Sequence, residues 1–162
     1  MTPTPRRETT IDADPALPTI RIVRDFDAPR ERVYRAWTDP ELVVRWIGMA
    51  GSTLRLDAWE PRTGGRYRYL ETAEDGQVHG FFGSFHELRP NERLVQTFSY
   101  EGFPDGVSLE TITFTDLGDG RTRVSSLSVF DSLEARDGII ASGMEAGVHD
   151  SYAKLDTLLA GD

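Results

Sequence analysis

The chain has 162 residues, no cysteine and a formal net charge of −9. A chain of this length forms one domain with a substantial core. Without cysteine it has no disulfide framework, thiolate metal site or cysteine nucleophile. The acidic balance has the wrong sign to attract nucleic-acid phosphates or anionic lipids, so we expect no nucleic-acid partner.

The apolar runs are far shorter than the roughly 20 residues needed to span a bilayer, and the N-terminus lacks the apolar core of a signal peptide. We therefore expect a cytoplasmic protein without membrane insertion. Residues 1–18 contain four prolines and no apolar period, which predicts a disordered or loosely attached N-terminal arm. The folded domain is expected over residues 19–162.

The first predicted element is a strand over residues 19–27, in which apolar residues alternate with polar ones. Two short helices follow, because Pro29 suits an early helical position and Asp39 can cap a second helix that starts with Pro40. The apolar pattern then changes to period two. It predicts six further strands, separated by short turns rich in Gly, Asp and Asn: residues 54–59, 66–71, 78–88, 93–100, 107–114 and 121–130.

The chain ends in helical spacing, which predicts one long amphipathic helix over residues 139–160. Its apolar positions are Ile140, Met144, Val148, Tyr152, Leu155 and Leu159. The order of elements predicts an α+β fold. In it a curved, seven-stranded antiparallel sheet wraps around the C-terminal helix, with two short helices after the first strand.

A sheet that wraps a single helix encloses a cavity, because one helix cannot fill its concave side, and such cavities have mainly apolar and aromatic linings. For any single aromatic residue on the predicted strands, packing in the core is a better explanation than lining a cavity. The number of such residues taken together favours a cavity. The predicted lining residues are Trp46, Trp59, Tyr67, Tyr69, Phe82, Phe98, Tyr100, Phe114, Met144 and Val148.

The spacing of the three histidines argues against a shared metal or catalytic site. His79 and His86 are seven residues apart on one predicted strand, which puts them on opposite faces unless a bulge intervenes. No His-Glu-x-x-His pair, nucleophile elbow or phosphate-binding loop is present. We therefore expect no metal and no cofactor, and no catalytic residue is assigned.

A charged strand residue that points into the cavity would need a partner. Arg66 or Arg68 together with Glu110 is the pair that the pattern favours, and such a pair could orient a ligand or activate water. The polar cavity candidates are Arg66, His86 and Glu110.

Several segments resemble the AHSA1-like domain, the activator-of-heat-shock-protein-ATPase homology domain of the SRPBCC, START-like or Bet v 1-like superfamily. The resemblance covers about residues 19–160. It implies the helix-grip fold with a deep hydrophobic cavity, and binding of lipids, sterols, polyketides or other apolar molecules, with a few cyclase enzymes. The segments that carry it are residues 26–41 with Trp46, 64–67, 83–95, 120–124, and 142–148 with Tyr152 and Leu155.

Three hypotheses about function follow. The favoured one is a stand-alone binding protein for a hydrophobic or aromatic small molecule. The second is a cyclase- or hydrolase-like enzyme that uses Arg66, Glu110 or His86 in the same cavity, and we favour it less. The third is an interaction module, either a homodimer through the sheet edge or a chaperone-binding domain. A chaperone partner is disfavoured, because the co-chaperone that names the family has a second domain, for which 162 residues leave no room.

Overall fold

The short turns between the strands impose an antiparallel sheet in which most consecutive strands are neighbours. A computed structural model describes residues 8–161 of the chain. The sheet has eight strands in the order β1-β2-β8-β7-β6-β5-β4-β3. They are β1 (Thr10–Ala13), β2 (Thr19–Phe26), β3 (Thr53–Trp59), β4 (Arg66–Thr72), β5 (Val78–Arg89), β6 (Arg93–Tyr100), β7 (Phe103–Gly118) and β8 (Arg121–Val129).

The predicted count of seven strands is wrong by one, because β1 forms within the stretch expected to be a disordered or loosely attached arm. Ile11 of β1 pairs with Ile22 of β2 and packs against the core. Burial of this one apolar side chain and the ladder hydrogen bonds favour a strand that is too short to show a period. Residues 1–7 of the expected arm lie outside the described residues.

Arg136 fixes the segment that connects β1 to β2. Its guanidinium is buried, and Nη1 donates to the backbone carbonyls of Asp14, Leu17 and Thr19 at 2.8, 3.1 and 2.9 Å. Three accepting carbonyls compensate the desolvation of the charged group. The segment is thereby attached to the C-terminal helices.

The two predicted short helices are α1 (Arg30–Thr38) and α2 (Pro40–Val43). They are confirmed, and they follow β2. The Asp39 side chain accepts a hydrogen bond from the backbone N–H of Glu41 at 2.9 Å, which caps α2 as expected of a residue before proline.

The long C-terminal helix is interrupted, so the prediction of a continuous helix over residues 139–160 is wrong. α3 (Leu133–Ala141) ends before Gly143, and α4 (Met144–Ala160) begins after it. Gly143 has a φ of 88°, a left-handed conformation that glycine adopts without strain. The apolar spacing continues across the break, which is why periodicity alone does not reveal it.

The core lies between α1, α4 and one face of the sheet, which we call the inner face. Phe26 of β2 is fully buried, and its ring lies 5.3 Å from that of Tyr152 on α4. An ion pair also joins these elements, because the Arg24 guanidinium contacts Asp156 at 2.5 Å. The fold is therefore the predicted α+β arrangement of an antiparallel sheet with C-terminal helices, as in a helix-grip fold. None of the helices within residues 8–161 has the length and apolar character to cross a bilayer.

We expect the two variants Gly83→Ala and Gly138→Ala to have opposite effects on stability. A Cβ on Gly83 would overlap the Thr97 carbonyl oxygen and meet the Tyr67 hydroxyl at 2.7 Å, so the inner face of β5 has no room for it. Gly138 lies in α3 with no neighbour within 4 Å of such an atom. Gly83→Ala should lower the free energy of unfolding by about 2–3 kcal/mol, and Gly138→Ala should raise it by about 1 kcal/mol.

Urea denaturation of the two variants beside the parent chain measures both effects. Equal stability of Gly83→Ala and the parent would contradict the close approach of the Thr97 carbonyl and the Tyr67 hydroxyl to Gly83.

Candidate functional site

A single carboxyl group lies on the inner face of β7 among residues that are otherwise apolar or hydroxylic. Glu110 precedes the buried Ile112 and Phe114 on the same side of the strand. The register places it between Gln96 of β6 and Ser128 of β8. Glu110 accepts hydrogen bonds from both neighbours, from Gln96 Nε2 at 2.8 Å and from Ser128 Oγ at 3.3 Å.

Burial raises the pKa of the Glu110 carboxyl, and the hydrogen bonds from Gln96 and Ser128 oppose the rise without cancelling it. Within residues 8–161, no arginine, lysine or histidine makes an ion pair with it. The charged form of Glu110 is therefore disfavoured in the folded protein.

The structure does not bring the arginine candidates to Glu110. Arg68 lies on the outer face of β4, where it donates to Glu101 at 2.8 Å and to Asp57 at 3.1 Å. Arg66 has the same phase on this strand and is exposed. Both arginines alternate with Tyr67, which occupies the inner face, and the pleat therefore keeps them away from β7.

Three tyrosines instead lie close enough to Glu110 for its charge to act on them. Burial raises the pKa of Tyr67 and Tyr69 on β4 and of Tyr152 on α4, and the charge of Glu110 adds to the rise in all three. We call these three tyrosines, together with Glu110, Gln96 and Ser128, the Glu110 cluster. The cluster contains inner-face residues of β4, β6, β7 and β8 and one residue of α4.

Two of the tyrosine hydroxyls have no partner among the described residues. The Tyr67 hydroxyl donates to the Thr97 carbonyl at 2.6 Å. Tyr69 and Tyr152 are each 8% exposed, yet no residue within 8–161 hydrogen-bonds their hydroxyl groups. Neither hydroxyl is among the fully enclosed side-chain atoms that lack a partner, so both retain contact with accessible space.

Apolar side chains extend the inner face beside this cluster. The Phe81 ring stacks on that of Phe98 with centroids 5.5 Å apart, and it lies 5.3 Å from the Tyr69 ring. Met144 and Val148 of α4 also pack against the core and are only partly buried. Phe82 has the opposite phase, since it pairs with Arg68, so Phe81 occupies the inner position expected for Phe82.

Trp46, Trp59 and Phe114 contribute mainly to the core. The Trp46 indole N–H donates to the Ala36 carbonyl at 2.8 Å, and that of Trp59 donates to the Thr38 carbonyl at 2.7 Å. Phe114 is almost fully buried. These contacts fix α1 on the sheet and leave the polar ends of both indoles satisfied.

The remaining candidates lie near the sheet rim or on the surface. The Tyr100 hydroxyl lies 2.9 Å from His79 Nδ1, and its ring contacts Phe81. His86 is exposed and belongs to no cluster with Glu110. Within the described residues, no group of three or more His, Asp or Glu side chains is arranged to hold a metal ion.

A loop covers one side of the space between β4 and α4. Backbone N–H groups of residues 48–50 donate in turn to Ser151 Oγ, Glu71 Oε1 and Asp150 Oδ2 at 3.0, 3.1 and 3.0 Å. The Lys154 ammonium donates to the Met49 carbonyl at 3.3 Å. These bonds hold the loop to both elements.

A separate open cleft of about 490 Å³ lies at the other side of α1 and does not include the Glu110 cluster. Its lining residues are Tyr34, Thr38, Asp39, Pro61, Arg62, Thr63, Leu88 and Pro90.

Sequence reasoning missed Gln96, Ser128 and Tyr152 as polar members of the cluster. Tyr152 counted only as part of the apolar stripe of the terminal helix. Gln96 and Ser128 become visible as partners of Glu110 only once the pairing register of β6, β7 and β8 is known.

Comparisons with known proteins give a consistent result. Residues 27–160 match a family model described as Activator of Hsp90 ATPase homolog 1-like protein. A crystal structure of a Rhodobacter sphaeroides protein superposes with a TM-score of 0.86 at 28% identity, covering 96% of this chain and 100% of that one. A search among curated proteins finds no match.

Two further solved structures are similar over nearly the whole chain. A crystal structure of a Chromobacterium violaceum protein has 33% identity and a TM-score of 0.79, covering 89% of this chain and 98% of that one. A solution structure from Arthrobacter aurescens has 27% identity and a TM-score of 0.86, with 94% and 92% covered.

Replacing Glu110 by glutamine should stabilise the protein at neutral pH. Because the pKa of Glu110 is raised on folding, its favourable contribution is full below the pKa of the unfolded chain and is lost as pH rises through the folded pKa. Glu110→Gln cannot ionise. It should therefore exceed the parent in free energy of unfolding by on the order of 1 kcal/mol at pH 7.5, and the difference should shrink towards pH 4.

Denaturation at several pH values measures this, with Asp105→Asn on the exposed part of β7 as a control that removes the same charge. A Glu110→Gln variant that is less stable than the parent at pH 7.5 would contradict the raised pKa of Glu110 in the folded protein.

Proposed function

The chain belongs to the family of Activator of Hsp90 ATPase homolog 1-like proteins, and on this premise we propose that it binds a hydrophobic or aromatic small molecule between the inner face and α4. Membership confirms the resemblance found in the sequence. The proposal concerns the ligand and its place, for which the family alone specifies only a fold that commonly binds apolar molecules.

One observation carries the proposal. Phe81, Phe98 and Glu110 lie on the inner face, on the side of the core, yet each retains accessible surface. A close-packed interior leaves almost no such surface. Inner-face residues that keep such accessible surface support an internal space that a ligand can fill.

The composition of this region suits an apolar ligand with one polar group. Aromatic rings of Tyr69, Phe81 and Phe98 form a continuous series of contacts, and the Glu110 cluster supplies the polar end. Burying about 300 Å² of ligand surface contributes roughly 7.5 kcal/mol, before the costs of association and ordering. We therefore expect micromolar affinity.

A second candidate function is a cyclase- or hydrolase-like reaction in the same space. The raised pKa of Glu110 favours it, because a carboxyl group with a raised pKa keeps its proton to a higher pH than a free one, as a general acid requires. Arg66 and His86 do not support this reading, since both are exposed. Loss of turnover in Glu110→Gln with retained ligand binding would distinguish catalysis from binding alone.

The first test is native mass spectrometry of the purified chain, followed by denaturing extraction of any bound molecule of a few hundred daltons. A thermal-shift screen of apolar and aromatic compounds then follows, since a ligand that binds only the folded state raises its melting temperature.

A variant that fills the space should abolish binding without unfolding the protein. Val148 of α4 is partly buried against the core, whereas Ala153 on the same helix is exposed. Val148→Trp should weaken binding of any ligand found by about tenfold or more, because the indole occupies its place. Ala153→Trp adds the same ring on the opposite side and should leave affinity unchanged.

Calorimetric titration and thermal unfolding of both variants give the answer. If Val148→Trp lost about 1–3 kcal/mol of stability, as overpacking a filled core does, and no compound bound the parent chain, the proposed cavity would be refuted.

A further inference from the structure

We propose that the ligand carries a basic amine, and that its ammonium group pairs with the carboxylate of Glu110. The inference rests on the proposed binding function and adds the chemical class of the ligand. It follows from the hydrogen-bond acceptors and aromatic rings of the Glu110 cluster, and from the lack of a cation beside Glu110 among the described residues.

The cluster lacks a cation. Buried carboxylates in proteins are normally paired with a positive charge, because desolvation makes an unpaired one costly. Glu110 receives only neutral donors, the Gln96 amide and the Ser128 hydroxyl. Within residues 8–161, no basic side chain supplies the missing charge.

Two basic groups on the elements around Tyr152, β2 and α4, already have partners. Arg24 acts on Tyr152 from the β2 side, but both of its terminal nitrogens bind Asp156 at 2.7 and 2.5 Å. Lys154 donates to the Met49 carbonyl and lies near Glu71 and Asp150. Neither group is available to Glu110, so no described residue provides the positive charge, and a ligand can supply it.

The hydrogen-bonding groups match an ammonium ion. Each Glu110 oxygen already accepts one hydrogen bond, from Gln96 or from Ser128, and keeps a further lone pair. An ammonium group has three donors and needs three acceptors. Glu110 provides one of them, and the cluster holds two further hydroxyl oxygens, those of Tyr69 and Tyr152, that have no partner within residues 8–161.

The surrounding rings favour a cation as well. Tyr67 and Tyr69 are stacked at 6.0 Å with an interplanar angle of 16°. Electron-rich ring faces attract ammonium groups, most strongly where water is excluded. The net charge of −9 also draws cations towards the protein and repels anions.

A neutral alcohol or an anion would use this site less well. An alcohol can fill the apolar region but leaves the Glu110 carboxylate without a counter-charge. A carboxylate ligand would place a second negative charge beside the first, and the two would repel each other at a desolvated contact. The amine is therefore the class that supplies Glu110 with a counter-charge.

The test compares amines with alcohols of the same shape. We would titrate the full chain calorimetrically at pH 7.5 with three pairs: 2-phenylethylamine and 2-phenylethanol, tryptamine and tryptophol, dodecylamine and dodecanol. At least one amine should bind about tenfold or more tightly than its alcohol. Glu110→Gln should abolish this preference, whereas Asp105→Asn, which removes an exposed charge from the same strand, should retain it.

The outcomes separate the inference from the proposed function. Alcohols that bind as tightly as their amines, or an amine preference that persists in Glu110→Gln, would refute the amine and leave the binding site intact. Failure of all six probes and of the apolar screen would refute the binding function, and the amine with it. Because the comparison of amine with alcohol uses the parent chain, it remains decisive even if Glu110→Gln folds poorly.

Discussion

The alternation of side chains across the pleated strands is the constraint on which the site depends. Tyr67 and Tyr69 occupy the inner face only because Arg66 and Arg68 occupy the outer one, and a shift of one residue would exchange the two sets. The register is held by inner residues such as Phe85, which is almost fully buried. The pairing of β5 with β6 shifts register between Phe85 and Glu87. This shift interrupts the inner–outer alternation at that point of β5, and Tyr67 and Tyr69 on β4 keep their inner positions.

Glu110 shows how stability and the proposed binding function compete in such a fold. An apolar residue there would pack without a desolvation cost, so a carboxyl group weakens the core when no ligand is bound. Gln96 and Ser128 reduce that cost by donating hydrogen bonds, which also fix the orientation of the carboxyl. A group that destabilises the folded chain and yet is carefully oriented is typical of a binding or catalytic position.

Strand positions, turns and fold class follow from the sequence because period-two alternation and turn residues are local properties. Which of two adjacent aromatic residues faces inward is not local, and Phe81 and Phe82 therefore exchange roles relative to expectation. The break at Gly143 escapes detection because the apolar spacing is the same on both sides. The partners of Glu110 depend on strand register, which is set by pairing over long sequence distances, so the sequence identifies the carboxyl but not its neighbours.

The contact of Arg136 with three carbonyls has a consequence for the edge of the sheet. A shortened chain that began at residue 19 would lose β1 and two of the three acceptors, those of Asp14 and Leu17. The outer edge of β2 would then present unpaired N–H and C=O groups, a surface on which a strand of another molecule can add. With β1 in place the sheet edge is a strand of only four residues, which offers less surface for such addition than the eight residues of β2.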